Sequence, residues 1–380
     1  MKRFYLFCIM ACMSAAIYAQ ATSLVIDNQT PGWLSSKINY GDQLTVRNLK
    51  VTGYINLSDY KFIGTLIQNR NLRGKLDLSE ANTVAEESGE QDNTLKHNPF
   101  GLSLTSNITL QYFIFPKSTV SINRFGFGEL KFSIDTLVID TQMKTFDRDI
   151  LECTCNHLIL GENFTVFKSS YDKFYSIDLP NTLKKISSSA FSNRMEDLQN
   201  VNFIRQKCFP NLEEIGMGAF QQISQYGSVD NHRQTLPDTL RFPAIKNFHV
   251  QSFDYKDGMH IFLGSNLEVF DNSVQVGFSN SINNSVYFHI NNTEGVAIAS
   301  NVGKCNICIP KGSLSAWKAK CSSRYVNFIE EETTEISNTR ILQRNKTDHI
   351  YSVNGNCISN QTSGLHKGIY IIKGKKYIKK

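Results

Sequence analysis

No stretch of this 380-residue chain is apolar for long enough to cross a bilayer as a helix. The longest apolar run, Phe4 to Ile17, covers about fourteen residues where a span needs roughly 20. Catalytic signatures are also missing: there is no H-E-x-x-H, no G-x-S-x-G and no phosphate-binding Gly loop, and the eight His are scattered singly. An enzyme needs a nucleophile beside a base, or two carboxylates at a working separation, converging in a pocket. Asp140 and Asp178 fall on expected strands, but outward polar residues at regular spacing occur on any stacked strand array. The chain is therefore read as non-catalytic, with no cofactor and no metal.

Cysteine does not form a dense disulfide framework either. Cys8 and Cys12 sit in the leading apolar run, which leaves Cys153, Cys155, Cys208, Cys305, Cys308, Cys321 and Cys357. Seven is odd, so a monomer keeps at least one unpaired. Cys305-Asn306-Ile307-Cys308 has metal-knuckle spacing, but strand residues three apart face opposite sides, and no second pair stands at a zinc-site spacing. Buried Cys is the reading, with a disulfide or a metal as alternatives.

What the sequence does contain is a repeat. In Leu179 to Phe191, LPNTLKKISSSAF, a short apolar strand closes on Pro180, with Ile186 six residues on and Phe191 five after that. The same steps recur at Pro116, Ile122 and Phe127 and, one residue shorter, at Pro210, Ile215, Phe220 and at Pro243, Phe248, Phe253; Phe146 and Leu151 are a weaker copy. Fixed apolar spacing at roughly 20 to 27 residues is the mark of a stacked solenoid, whose units bury their apolar faces only against each other. Strands are expected at 111–116, 135–140, 156–160, 175–180, 202–205, 240–243, 260–263, 285–290 and 306–310. A polar loop is expected near Ser224 to Gln234.

Five segments follow from the order of these features: a secretory signal peptide at 1–19, a capping region at 20–104, repeats at 105–310, a second cap at 311–335 and a basic C-terminal β-module at 336–380. Lys2, Arg3, the apolar run and Ala19 carry the signal peptide; lipoprotein processing at Cys12 is the rival. Asn56 before Leu57, with Phe62, Leu66 and Ile67 beyond it, predicts a capped amphipathic helix, and Leu76 to Ser79 predicts a strand leaving into a turn. Leu314, Trp317 and Cys321 stand at helical spacing; Trp317 reads as cap core, with a ligand anchor as the alternative.

Charge separates the tail from the body. From Arg340 onward, 9 Lys and Arg face 1 acidic residue; without these and the signal, 29 basic residues face 33 acidic ones. The body's charge thus offers nothing to nucleic acid. In the tail, Ile350 to Val353 and Ile369 to Ile372 are expected to pair as strands.

LKKISSSAF and LEEIGMGAF resemble the repeat unit of BspA-like leucine-rich repeats of secreted proteins in Bacteroidetes, some oral bacteria and protists. GYINLSDYKFIG with LRGKLDLSEANTV is similar to the N-terminal cap segment of the Bacteroidetes members, and CIPKGSLSAWKAKCSSRYVNFIEE to their terminating cap. Phe146 to Leu151 and the stretch from Phe270 depart from the unit in lacking its Ala-Phe ending. The tail resembles a type IX secretion sorting segment, through Lys367 to Ile371 and the terminal Lys379-Lys380, while Ser352 to Asn356 departs from that pattern. Asp135-Thr136-Leu137 and Asp238-Thr239-Leu240 resemble the phylum's O-glycosylation acceptors. These likenesses imply an α/β leucine-rich-repeat solenoid, a right-handed β-α superhelix, secreted or held at the cell surface for adhesion. Its strand face would meet a protein or glycan through a patch of Tyr112, Tyr175, Asp178, His260, Tyr287 and His289. A structural part in a surface or matrix assembly is the alternative.

Overall fold

The structure, a computed structural model, describes residues 22–86, 90–95, 98–101, 108–122, 125–126, 132–147, 151–152, 154–168, 173–191, 204, 206–220, 237–249, 259–271, 287–290, 296–298, 305–332, 350–352, 357–359, 368–372 and 375–379. The loop expected near Ser224 to Gln234, the signal peptide, and Phe127 and Phe253 lie outside the described residues, as do the side chains of Leu151 and Tyr175. The chain divides into two compact units, Met1–Glu330 and Glu331–Lys380.

The first unit is a parallel β-solenoid of about nine turns with few helices. Its leading sheet has seven parallel strands in chain order: β1 (Thr22–Asn28), β2 (Val46–Ile55), β3 (Lys75–Thr83), β4 (Ile108–Ile114), β5 (Phe132–Ile139), β6 (Thr154–Leu160) and β7 (Lys173–Asp178). One inward row runs in register through Leu49, Leu76, Phe113, Leu137, Leu158 and Ile177, which a single bridge extends to Ile204. Every member of that row is buried. Each such side chain contributes about 1.5–3 kcal/mol by leaving water, and none can do so without the turns above and below. Pro116 and Pro180 follow their strands where the ladder has ended, so the missing N–H costs nothing there.

A second column stacks on short parallel strands at Thr145–Phe146, Val166–Phe167, Lys185–Ile186, Glu214–Ile215, Asn247–His249 and Val269–Asp271. Its buried members Phe146, Phe167, Ile186, Ile215, Phe248 and Phe270 include the middle position of the repeat rule. The last position stacks as well: Phe191 lies 4.7 Å from Phe167 and 5.3 Å from Phe220 between ring centroids. Among the described residues of 105–310 no helix connects the strands; chain reversals such as Leu183 N–H to Pro180 O and Ile245 N–H to Phe242 O do so.

A third sheet follows: β8 (Thr239–Phe242), β9 (His260–Leu263), β10 (Tyr287–Ile290) and β11 (Cys305–Pro310) pair in parallel, and β12 (Val326–Glu331) lies next to β11. Four described helices lie outside the repeats: α1 (Leu34–Lys37), α2 (Tyr40–Thr45), α3 (Leu57–Gln68) and α4 (Leu314–Lys320). Asn56 caps α3 in a reciprocal box with Asp59, and Tyr60, Ile63, Leu66 and Ile67 form its buried stripe. Trp317 of α4 is fully buried beside Phe328, which takes it out of contact with any external ligand. The turn expected after Leu78 is instead an irregularity inside β3. Asp77 Oδ1 accepts the Ser79 N–H at 3.0 Å, and the register against β2 slips from Lys50↔Asp77 to Thr52↔Glu80 while the strand continues.

Cys155, Cys208, Cys305, Cys308 and Cys321 are thiols, and the first, third and fourth are buried. The second unit contains a four-stranded antiparallel sheet in which Ile350–Ser352 pairs with Gly368–Ile372.

Candidate functional site

Two outward rows flank the buried row of the leading sheet, one on each side of it. The first runs Lys75, Tyr112, Thr136, His157, Ser176, and the second Lys50, Asp77, Ile114, Val138, Ile159, Asp178. Strands alternate their side chains, so residues one position either side of a buried Leu must turn outward together. Ile114, Val138 and Ile159 are half-buried and make a β-branched strip on adjacent strands where a solvated face would be polar.

At one end of the strip the charges neutralise each other: Lys50 pairs with Glu80 at 2.5 Å and Lys75 with Asp77 at 2.9 Å. Burial alone would raise the Asp77 pKa, but hydrogen bonds from Ser79 and Lys75 outweigh it and hold the carboxyl below the ordinary aspartate value. At the other end His157 is held on both ring nitrogens, Nδ1 by Ser176 Oγ at 2.7 Å and Nε2 by Asp178 Oδ2 at 3.0 Å. Ser, His and Asp are the groups of acyl transfer, but Ser176 is only 3 % exposed and its hydroxyl also reaches the Asn156 carbonyl at 3.2 Å. At that depth the hydroxyl props the imidazole in place and does not meet a substrate. Asp178, with its side chain 48 % exposed, and the His157 edge form the accessible polar end of the strip.

The third sheet carries another outward cluster. His260 and Tyr287 are register partners with rings stacked at 4.8 Å, and His260 Nδ1 lies 2.9 Å from His289 Nε2. That short contact is a hydrogen bond only while at least one of the two rings is neutral. Arg241, Phe262 and His289 form a second ladder: the guanidinium carbon is 4.1 Å from the Phe262 centroid, and the Phe262 and His289 rings are 4.1 Å apart and nearly parallel. His289 is 9 % exposed.

The six residues singled out from sequence thus fall into two groups. Tyr112, Tyr175 and Asp178 belong to the leading sheet, where Tyr112 is half-buried and lies under Lys75 Nζ at 5.7 Å. His260, Tyr287 and His289 touch one another in the third sheet. Sequence reasoning passed over His157, Ser176, Ile114, Val138, Ile159, Arg241 and Phe262. Aligning Leu137, Leu158 and Ile177 as one buried position would have placed His157 and Ser176 beside each other. Thr136 and Thr239 are half-buried on outward rows of their sheets.

No protein-family profile, curated protein or solved structure matches this chain. Among the described residues no helix is long and apolar enough to cross a membrane.

Proposed function

We propose that the protein is an exported, non-catalytic recognition protein of leucine-rich-repeat type. It binds a partner at the cell surface across the strand face of the solenoid. The observation that carries the reading is the outward strip of Ile114, Val138 and Ile159, bordered by Tyr112 and Thr136 and ending at the His157–Asp178 pair. An apolar centre with a polar rim is what a recognition surface needs, and a merely solvated face has no use for it. A protein partner suits this face better than a glycan. In the third sheet the rings cover each other's faces and turn their edges outward, leaving little flat aromatic surface for a sugar.

The leading apolar run and the sorting-like tail support export. The likeness of Gly53 to Gly64 and of Cys308 to Glu331 to cap segments supports caps at both ends of the repeats. The alternative is a structural role in a surface assembly held by self-association.

The test is binding of the purified protein to arrays of extracellular-matrix proteins and glycans at physiological salt. A saturable hit weakened about tenfold by Val138→Lys and by His157→Ala, with unfolding midpoints kept, is the expected result. Absence of binding together with concentration-dependent self-association would move the structural reading ahead.

A further inference from the structure

On the third sheet, Arg241 carries a positive charge that no acid of the fold neutralises. The side chain is half-buried on β8, and its guanidinium carbon lies 4.1 Å from the centroid of its register partner Phe262. Stacking engages the face of a guanidinium, whereas its five N–H donors lie in its plane. Among the described residues no carboxylate or other acceptor takes up those donors. Cys208, opposite Arg241 across an isolated bridge, is no counter-ion either: burial raises its thiol pKa above the ordinary value, outweighing the opposite pull of Arg241.

The neighbouring rings add to the charge. Phe262, His289, His260 and Tyr287 form one continuous stack, with successive centroids 4.1, 5.2 and 4.8 Å apart. An aromatic ring is negative on its face and positive at its hydrogen-bearing edge. Stacking covers the faces here and turns the positive edges outward.

A guanidinium with idle donors beside positive ring edges favours an anion. A carboxylate fits best, because its two oxygens match one edge of the guanidinium in a pair of parallel hydrogen bonds. On a peptide, an aromatic residue beside that carboxylate can also set its ring face against the outward edges in a T-shaped contact. We propose that the Arg241–Phe262 cluster binds an acidic peptide segment of a protein partner, with an Asp or Glu carboxylate at the guanidinium and a neighbouring aromatic face on the edges of Phe262 and Tyr287. The residues are not those of the Ile114, Val138 and Ile159 strip, and the proposal stands whether or not that strip binds a partner.

Fluorescence anisotropy with the full-length protein at low ionic strength tests it. The probes are a labelled peptide Gly-Phe-Glu-Phe-Gly, the same peptide with Gln, Lys or phosphoserine in place of Glu, and a labelled tetrasaccharide containing glucuronate. Saturable binding of the Glu peptide is expected, with the Gln peptide weaker and the Lys peptide weakest. Arg241→Gln should weaken the Glu peptide about tenfold. Arg241→Lys, which keeps the charge and loses the planar fork, should weaken it about threefold and takes the place of Arg241→Gln if that variant does not fold. Arg47→Gln removes an exposed arginine of β2 and controls for net charge; it should leave the affinity unchanged. No saturable binding of the Glu peptide, equal binding of the Gln peptide, an unchanged affinity in the Arg241 variant, or an equal loss in Arg47→Gln overturns the proposal. Tighter binding of the phosphoserine peptide or of the tetrasaccharide overturns it as well, since the ligand would then be a phosphate or a glycan.

Discussion

Asn28 donates its side-chain amide to Asp59 Oδ2 at 3.2 Å, joining the last residue of β1 to the first turn of α3. The same carboxylate accepts the backbone N–H groups of Gly32 at 2.7 Å, Leu34 at 2.9 Å and Asn56 at 3.1 Å. Asp59 is 1 % exposed, so it organises the whole connection from β1 through α1 to α3. Asp59→Ala takes this acceptor from the Gly32, Leu34 and Asn56 N–H groups, while the Asn28 amide keeps the Tyr54 carbonyl at 2.7 Å, and it is expected to cost on the order of 3 kcal/mol in urea unfolding. A loss below about 1 kcal/mol would mean that water reaches the site.

Glycine is required at 264 for space and at 312 for conformation. A Cβ on Gly264 would sit 1.8 Å from the Pro243 carbonyl oxygen of the preceding turn, whereas at Gly312, with φ +82°, it would meet nothing within 4 Å. Gly264→Ala must push two turns apart and should cost about 2 kcal/mol or more. Gly312→Ala should cost only about 1 kcal/mol, the penalty of the left-handed backbone. Equal losses in chemical denaturation would contradict this division.

Phe167 lies between Phe146 at 5.1 Å and Phe191 at 4.7 Å, fully buried. Phe167→Ala removes contacts to the turns on both sides and is expected to lose about 3–5 kcal/mol. Val269, 37 % exposed, makes the control: Val269→Ala should stay within about 0.5 kcal/mol.

The depressed carboxyl of Asp77 gives acid sensitivity a sign. A group whose folded pKa lies below its unfolded value stabilises the fold fully above the unfolded value, and that stability is lost as pH falls through the folded one. Unfolding free energies measured from about pH 5 down to about pH 2 should therefore fall more steeply in the wild type than in Asp77→Asn. Parallel curves would show that Ser79 and Lys75 do not favour the ionised form.

Glu213 and Lys246, 2.7 Å apart on the surface, act in opposite directions: the pair holds the carboxyl below its ordinary value and the ammonium above its own. Their attraction is fully present between the two ordinary values and is lost as pH falls through the folded Glu213 value or rises through that of Lys246. Because both groups are solvated, a double-mutant cycle at neutral pH should find a small coupling that about 1 M salt removes. A coupling insensitive to salt would contradict that.

Much of the solenoid could be read directly from the chain. Ile186 and Phe191, and likewise Ile215 and Phe220, recur at fixed distances from a strand exit because each position must leave water, and burial is a demand on residue type. The α3 boundary was legible for a similar local reason: Asn56 satisfies a backbone donor three residues on, whatever lies elsewhere. The strand ends were less so, since strands began earlier than their apolar runs, as β4 does at Ile108. Leu76 to Ser79 read as a strand leaving into a turn, and an aspartate bonding two residues ahead, as Asp77 does to Ser79, is how such a turn forms. Only pairing against β2 made it a bulge.

Stacking, repeat spacing and the capped helix were thus determined by local burial and hydrogen-bonding demands written in the sequence. The surface was decided by register between turns of unequal length. Tyr112, Thr136, His157 and Ser176 stand 24, 21 and 19 residues apart, and only parallel pairing makes them one row. A slip of one residue would exchange buried and outward faces and separate His157 from Asp178. That register is chosen by the packing of all the turns together, so the face offered to a partner belongs to the tertiary structure alone.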